Sequence, residues 1–259
     1  IIREKIKNNK LKNIKKVNKA SINSKEIKKN DIFFGIKGKS IDGNKFANEA
    51  INKKATLAII DKNYGKKNLK KIKVKNTLKY LSEFSHLIRK ASNIQAVAIT
   101  GSTGKTTLKE MLSQSLNKMH PTSYSIKSFN NKYGVPLSLF NIKKENFFGV
   151  FEVGMDKKGE IDSLTKIIKP NLGIITNVSY AHIKNFNNLS QIANAKSEII
   201  NNIIDGGTVV LNKDDDFFNF FKNKALKRNL KIISVSKKNN ADVRYIQTIK
   251  SKSRYILYL

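Results

Sequence analysis

The sequence predicts an α/β fold, with a small N-terminal α/β domain followed by a P-loop-type central domain whose mostly parallel sheet is flanked by helices. Three observations predict it. Short apolar runs alternate with amphipathic stretches between about residues 96 and 235, the pattern of a parallel sheet covered on both faces. One of these runs enters the turn Gly101-Ser102-Thr103-Gly104 and leaves it through Lys105 and Thr106 into a helical stretch. A separate, shorter set of strand and helix patterns precedes residue 80.

In chain order, Asp31 to Ile36 is a short apolar run after a polar turn and reads as a strand. Asp42-Gly43-Asn44 is a turn, after which Phe46, Ala47, Ala50 and Ile51 recur at helical spacing. Ala55 to Ile60 is a second buried strand, and Lys62 to Lys71 a solvated connector. Tyr80 to Ala91 presents Leu81, Phe84, Leu87 and Ile88 on one helical face. The strands expected next are Ala96 to Thr100, Phe147 to Val153, Gly173 to Asn177, Thr208 to Leu211 and Lys231 to Val235. The clearest helices are Thr106 to Leu116 and Leu189 to Ile204. Val243 to Leu259 reads as a two-stranded hairpin. The expected division is a first domain over residues 1–80 and a second over 81–259.

The 259 residues include 39% hydrophobic and 8% aromatic side chains, lean but sufficient for a core, which excludes a disordered chain. The formal charge is +32. Such a field attracts polyanions. Lys is spread along the whole chain, however, and five of the 51 basic residues are Arg, the residue suited to bidentate base and phosphate readout. No nucleic-acid partner is therefore expected. The absence of Cys excludes disulfides and thiolate zinc sites. No apolar run approaches the ~20 residues of a membrane span. The N-terminus shows no signal-peptide pattern and no initiator Met. A cytoplasmic protein, clipped at the front, is expected.

Residues 96–107 carry the most chemistry. A glycine-bounded turn between a buried strand and a helix points several N–H groups inward, where the helix terminus adds partial positive charge. Lys105 would reach the outer phosphates of a nucleotide, and the Thr106 hydroxyl would meet Mg2+. The general P-loop pattern is incomplete, since its first Gly falls at Ile99. An ordinary strand-to-helix turn would leave Lys105 unexplained.

The form Thr100-Gly101-Ser102-Thr103-Gly104-Lys105-Thr106-Thr107 resembles the ATP loop of the Mur ligases, and further blocks follow in that family's order. Asn130-Asn131-Lys132-Tyr133-Gly134-Val135-Pro136 is similar to a segment of the branch that adds D-alanyl-D-alanine to a UDP-linked muramoyl tripeptide. The resemblance implies that Asn130 and Asn131 face the substrate cleft. Glu152 in Phe151-Glu152-Val153-Gly154-Met155 corresponds to a Mg2+ ligand, while Glu160 reads as a helix-start residue. Ile174 to His182 matches a block in which Asn177 lies at the nucleotide and His182 binds a second metal ion. Ala195-Lys196-Ser197-Glu198 matches the block whose Lys carries a CO2-derived carbamate. Val210 to Asp215 resembles the Leu-Asn-x-Asp-Asp run bordering the adenine, with Asn212 at the nucleotide; a solvated turn is the alternative for Asp214 and Asp215. Asn23-Ser24-Lys25 stands where Asp-Ser-Arg is usual and implies that Ser24 helps hold the uridine diphosphate.

The resemblance spans roughly residues 17–215. It implies an ATP-dependent ligase of peptidoglycan precursor synthesis acting through an acyl phosphate, with ATP, two Mg2+ and a carbamylated Lys196. The catalytic set would be Lys105, His182 and Lys196. The ATP set would be Gly101, Ser102, Thr103, Gly104, Lys105, Thr106, Thr107, Asn177 and Asn212. Ser24, Asn130 and Asn131 would contact substrate, and Thr106, Glu152, His182 and Lys196 the metal ions. The partners would be the UDP-linked muramoyl peptide and D-alanyl-D-alanine, and a monomer is expected. The family's C-terminal domain is not in the sequence, so a truncated chain with little ligase activity of its own is expected. The rival readings are a sister ligase adding another amino acid, a folylpolyglutamate synthetase-like enzyme, an inactive ATP-binding remnant and a basic nucleic-acid-binding NTPase.

Overall fold

The computed structural model describes residues 17–38, 40–65, 69–180, 185–251 and 254–258. Two compact units divide the chain. The first comprises residues 1–93 and 136–143, and the second residues 94–135 and 144–259.

The first unit is built on a four-stranded parallel sheet. Its strands are β1 (Ala20–Ser21), β2 (Ile32–Phe34), β3 (Leu57–Asp61) and β4 (Lys71–Val74), in that spatial order. Adjacent residues of a strand face opposite sides, and β2 uses both sides. Phe33 packs with Ala47 and Ala50 of helix α1 (Ala47–Asn52) in one apolar cluster. Phe34 meets the ring of Phe140 edge-on at 5.5 Å, and Phe140 stacks on Phe84 of helix α2 (Thr77–Ala91) at 5.4 Å. Burying each such side chain contributes roughly 1.5–3 kcal/mol. Helix α2 therefore belongs with the first compact unit, whose main segment runs to residue 93. Its start is fixed by Asn76, whose side chain accepts from the Lys79 N–H. The end of the Lys-rich connector is not loop: Lys71 opens β4, whose half-buried residues carry no period that marks them as strand.

The second unit holds a seven-stranded sheet in which every pairing is parallel. Its strands are β5 (Gln95–Thr100), β6 (Thr122–Tyr124), β7 (Phe148–Glu152), β8 (Leu172–Ile175), β9 (Thr208–Asn212), β10 (Lys231–Ser236) and β11 (Val243–Arg244). The spatial order is β11-β10-β9-β8-β5-β7-β6. Helix α3 (Lys105–Asn117) lays Leu108, Leu112 and Leu116 on Val97, Ile99 and Val150. Next in the chain come helix α4 (Gly134–Phe140), most of which belongs to the first unit, helix α5 (Glu160–Ile168) and helix α6 (Leu189–Asn201). The series closes with helix α7 (Phe218–Lys227). Helices α5 and α6 pack on β5. Glu160 does open α5, and its carboxylate accepts from the Asp156 and Lys157 amides. The tail differs in part from expectation. Val243–Arg244 joins the sheet edge beside β10, and the hairpin is made by β12 (Gln247–Ser251) and β13 (Arg254–Tyr258); Leu259 lies outside the described residues. No helix among the described residues is long and apolar enough to cross a membrane.

In the second unit the chain leaves β5 toward β6 and β7 on one side, whereas from β8 it proceeds to β9 and β10 on the other. The crevice outside the carboxyl ends of β5 and β8 is thus the point where strand order reverses, the usual ligand position in open parallel sheets.

Candidate functional site

That crevice holds the glycine-bounded turn. Gly101 has φ 149°, and a Cβ built on it would lie 1.8 Å from Thr176 Oγ1. The close approach lets the turn be laced to the segment after β8. The Ser102 N–H donates to the Asn177 carbonyl, and Ser102 Oγ accepts from the Ser179 N–H and donates to its carbonyl. The Thr103 N–H donates to Asn177 Oδ1 at 3.1 Å, and the Thr176 hydroxyl to the Thr103 carbonyl at 2.7 Å. Gly104 precedes the first residue of α3 in the left-handed region.

Lys105 opens α3 and curls its ammonium back over the turn, donating to the carbonyls of Gly101 at 2.8 Å and Ser102 at 3.1 Å. Partial burial lowers its pKa, and the charge of Glu152 opposes that shift. The Thr106 hydroxyl donates to Glu152 Oε2 at 2.8 Å, and Asn130 Nδ2 donates to Glu152 Oε1 at 2.8 Å. Glu152 ends β7 and is 1% exposed. A desolvated carboxylate is costly unless its charge is met, and its two hydrogen-bond partners are neutral. A hydroxyl and a carboxylate at a phosphate-binding turn form the hard-oxygen set that suits Mg2+. Among the described residues no cluster of three or more His, Asp or Glu could hold a metal.

Lys196 projects from α6 and is 1% exposed. Burial, with the like charge of Lys105 adding to it, pushes its pKa down to about 7. Near pH 7 the amine is therefore about half neutral, and it is within electrostatic reach of Lys105.

The remaining expected residues divide. Thr107 is exposed on the first turn of α3. Asn177 is at the turn, as above. Asn212 donates from Nδ2 to the Thr176 carbonyl at 3.4 Å and accepts from the Asp214 N–H. Asn131 is turned to helix capping, its Oδ1 accepting from the Tyr133 and Gly134 amides. Ser24 lies in the first unit, buried, with its hydroxyl donated to Glu49 Oε2 at 3.0 Å. His182 lies outside the described residues. The two acids after Asn212 and Lys213 are both engaged rather than merely solvated. Asp214 accepts from the Ser236 hydroxyl and the Lys237 amide, which holds its pKa down at about 2. Asp215 accepts from the Val178 amide at 2.7 Å and so supports the segment that laces the turn. Sequence reasoning missed this support, and also Lys109, a fully buried lysine on α3. A charged residue in the helix register that faces the sheet was the available signal for Lys109.

Two family models match the chain. Residues 99–257 match the Mur ligase middle domain, and residues 16–89 match the Mur ligase family catalytic domain. A UDP-N-acetylmuramoyl-tripeptide--D-alanyl-D-alanine ligase of Buchnera aphidicola subsp. Baizongia pistaciae is 34% identical over 88% of this chain and 49% of its own length. Among solved structures, MurF from Acinetobacter baumannii superposes with a TM-score of 0.79 at 29% identity, over 89% of this chain and 50% of that one. MurF ligase from Thermotoga maritima in complex with ADP gives 0.78 at 26% identity, over 93% and 55%. The chain spans about half the length of the curated relatives it matches.

Proposed function

Because this chain belongs to the Mur ligase family, we propose that it forms the nucleotide-binding and precursor-binding part of an ATP-dependent ligase that joins D-alanyl-D-alanine to a UDP-linked muramoyl tripeptide. The observation that carries the reading is the meeting of Thr106 with Glu152 at the first turn after the phosphate loop, beside Lys105, which interacts electrostatically with both Glu152 and the buried Lys196.

The chemistry is the one that the family resemblance implies, and these groups suit it. The γ-phosphoryl group of ATP passes to a carboxylate oxygen of the peptide, giving an acyl phosphate and ADP. The dipeptide amine then attacks the acyl carbon, the C–N bond forms, and inorganic phosphate leaves. Such transfers rest on positioning and charge neutralisation. Lys105 exchanges its contacts with the Gly101 and Ser102 carbonyls for phosphate oxygens, and the loop amides orient the chain of phosphates. Thr106 and Glu152 would hold Mg2+, which when bound neutralises charge developing on the transferred group. By resemblance His182 joins the metal ligands. A neutral Lys196 amine can add to CO2 and lose a proton, giving a carbamate whose negative charge suits a cationic neighbourhood. Asn177 and Asn212 border the nucleotide. Ser24 is assigned to the uridine diphosphate, for which its hydroxyl must first leave Glu49. Asn130 serves the substrate side through its contact with Glu152, and Asn131 serves it by shaping the loop that precedes α4.

Calorimetric titration of the chain with Mg·ADP, and separately with UDP-muramoyl tripeptide, tests the reading. Saturable 1:1 binding of both is expected, with the nucleotide affinity falling when Mg2+ is chelated. A chain that binds neither would end the proposal.

A further inference from the structure

We propose that Lys109 is a positioning residue, coupling the phosphate-binding helix to the loop that carries Asn130; this rests on the nucleotide-site reading above. Lys109 sits one turn beyond Lys105 on α3 and is fully buried. An ammonium is tolerated there only if its donors are met. Its Nζ donates to the carbonyls of Ser125 at 2.8 Å and Lys127 at 2.6 Å, and pairs with Glu110 Oε1 at 2.7 Å. Three partners satisfy three N–H groups.

Both carbonyls belong to the connection between β6 and α4. Within it Lys127 takes φ 51°, a left-handed conformation that a lysine holds only when its surroundings fix it. The same connection delivers Asn130. Its side-chain amide reaches Glu152 Oε1, and its carbonyl accepts from the Gly154 N–H at 2.8 Å. The fit is close, since a Cβ on Gly154 would come within 2.8 Å of Asn130 Cγ. An apolar side chain of similar length would fill the Lys109 position without any desolvation cost. What the ammonium adds is a grip on two loop carbonyls. One helix thus carries the phosphate-facing groups on its first turn and, four residues after Lys105 and on the same face, the group that fixes the Asn130 loop. The geometry of Asn130 against Glu152 and the occupancy of the phosphate turn then share a coupling free energy.

A double-mutant cycle on the whole chain tests this, with the Kd of Mg·ADP as the readout. Lys109→Met and Asn130→Ala are each expected to weaken binding roughly tenfold, the scale of one lost hydrogen bond to a charged group. The double variant should bind no more weakly than the worse single one. Lys109→Arg, which keeps charge and donors, should recover most of the affinity. Additive losses in the double variant, or wild-type affinity in Lys109→Met, overturn the proposal. If Lys109→Met does not fold, the wild-type chain decides. Slower hydrogen exchange at the Gly154 amide on adding Mg·ADP supports the coupling, and unchanged exchange overturns it. A wild-type chain that binds no Mg·ADP sinks the underlying site reading as well, a result distinct from additive losses.

Discussion

A side chain at Gly101 would collide with the Thr176 hydroxyl, because a Cβ there would lie 1.8 Å from Oγ1. The phosphate turn and the segment after β8 therefore interlock only because position 101 has no Cβ. Gly101→Ala is expected to abolish measurable Mg·ADP binding and to cost about 1–3 kcal/mol of stability from overpacking and backbone strain. Adding Thr176→Ala should restore part of the stability but not all, since φ 149° remains unsuited to alanine. Thermal melts of the two variants check this.

Glu152 separates metal-dependent from metal-independent affinity. Glu152→Gln keeps the shape and an acceptor for Thr106 but removes the charge. Without Mg2+, nucleotide binding should be equal to or tighter than wild type. The gain on adding Mg2+ should fall roughly 10–100-fold, as when a metal's immediate surroundings are disturbed. Titrations of ADP with and without a chelator give the comparison.

Lys196 predicts a rising stability profile. Its folded pKa of about 7 lies below the ordinary lysine value, so between about pH 7 and 10 the unfolded chain binds a proton that the folded chain does not. Unfolding free energy should therefore increase with pH across that window, by on the order of a few kcal/mol. Lys196→Met should flatten the rise and be more stable than wild type at pH 7. Carbon NMR after equilibration with labelled bicarbonate should show one carbamate resonance, absent from the variant.

Asp214 predicts a loss of stability in acid. Its pKa is held at about 2, first by the Ser236 hydroxyl and then by the Lys237 amide. Its contribution is complete above the ordinary aspartate range and is lost as pH falls toward 2. Denaturant melts at pH 5, 3 and 2 should show a steeper loss for wild type than for Asp214→Asn.

The central sheet was legible because its strands are short apolar runs set between helices, and β5, β7, β8, β9 and β10 all fall where such runs stand. The turn at residues 101–106 was legible from its glycines and Lys-Thr pair. Helix α7 was not, since Phe, Lys and Asn follow one another in it without a clean face. Nor was β4, every residue of which is only half-buried. Asp215 and Lys109 were hidden for a different reason. Apart from Glu110 beside Lys109, their partners here, Val178 and the Ser125 and Lys127 carbonyls, are backbone groups, and backbone groups leave no trace in residue identity. Ser24 was read from a short polar match, but its present partner Glu49 lies 25 residues away and could be found only by folding the chain.

The all-parallel sheet has a kinetic consequence. Thr106 and Glu152 are 46 residues apart, and Ser102 and Ser179 are 77 apart, so no local segment can rehearse the arrangement. Contacts of such long sequence separation form slowly, because loop-closure entropy is spent before they stabilise anything. Nucleotide affinity should thus return in the slowest refolding phase, after the helices have regained their circular dichroism, which makes ligand capture a reporter of completed folding.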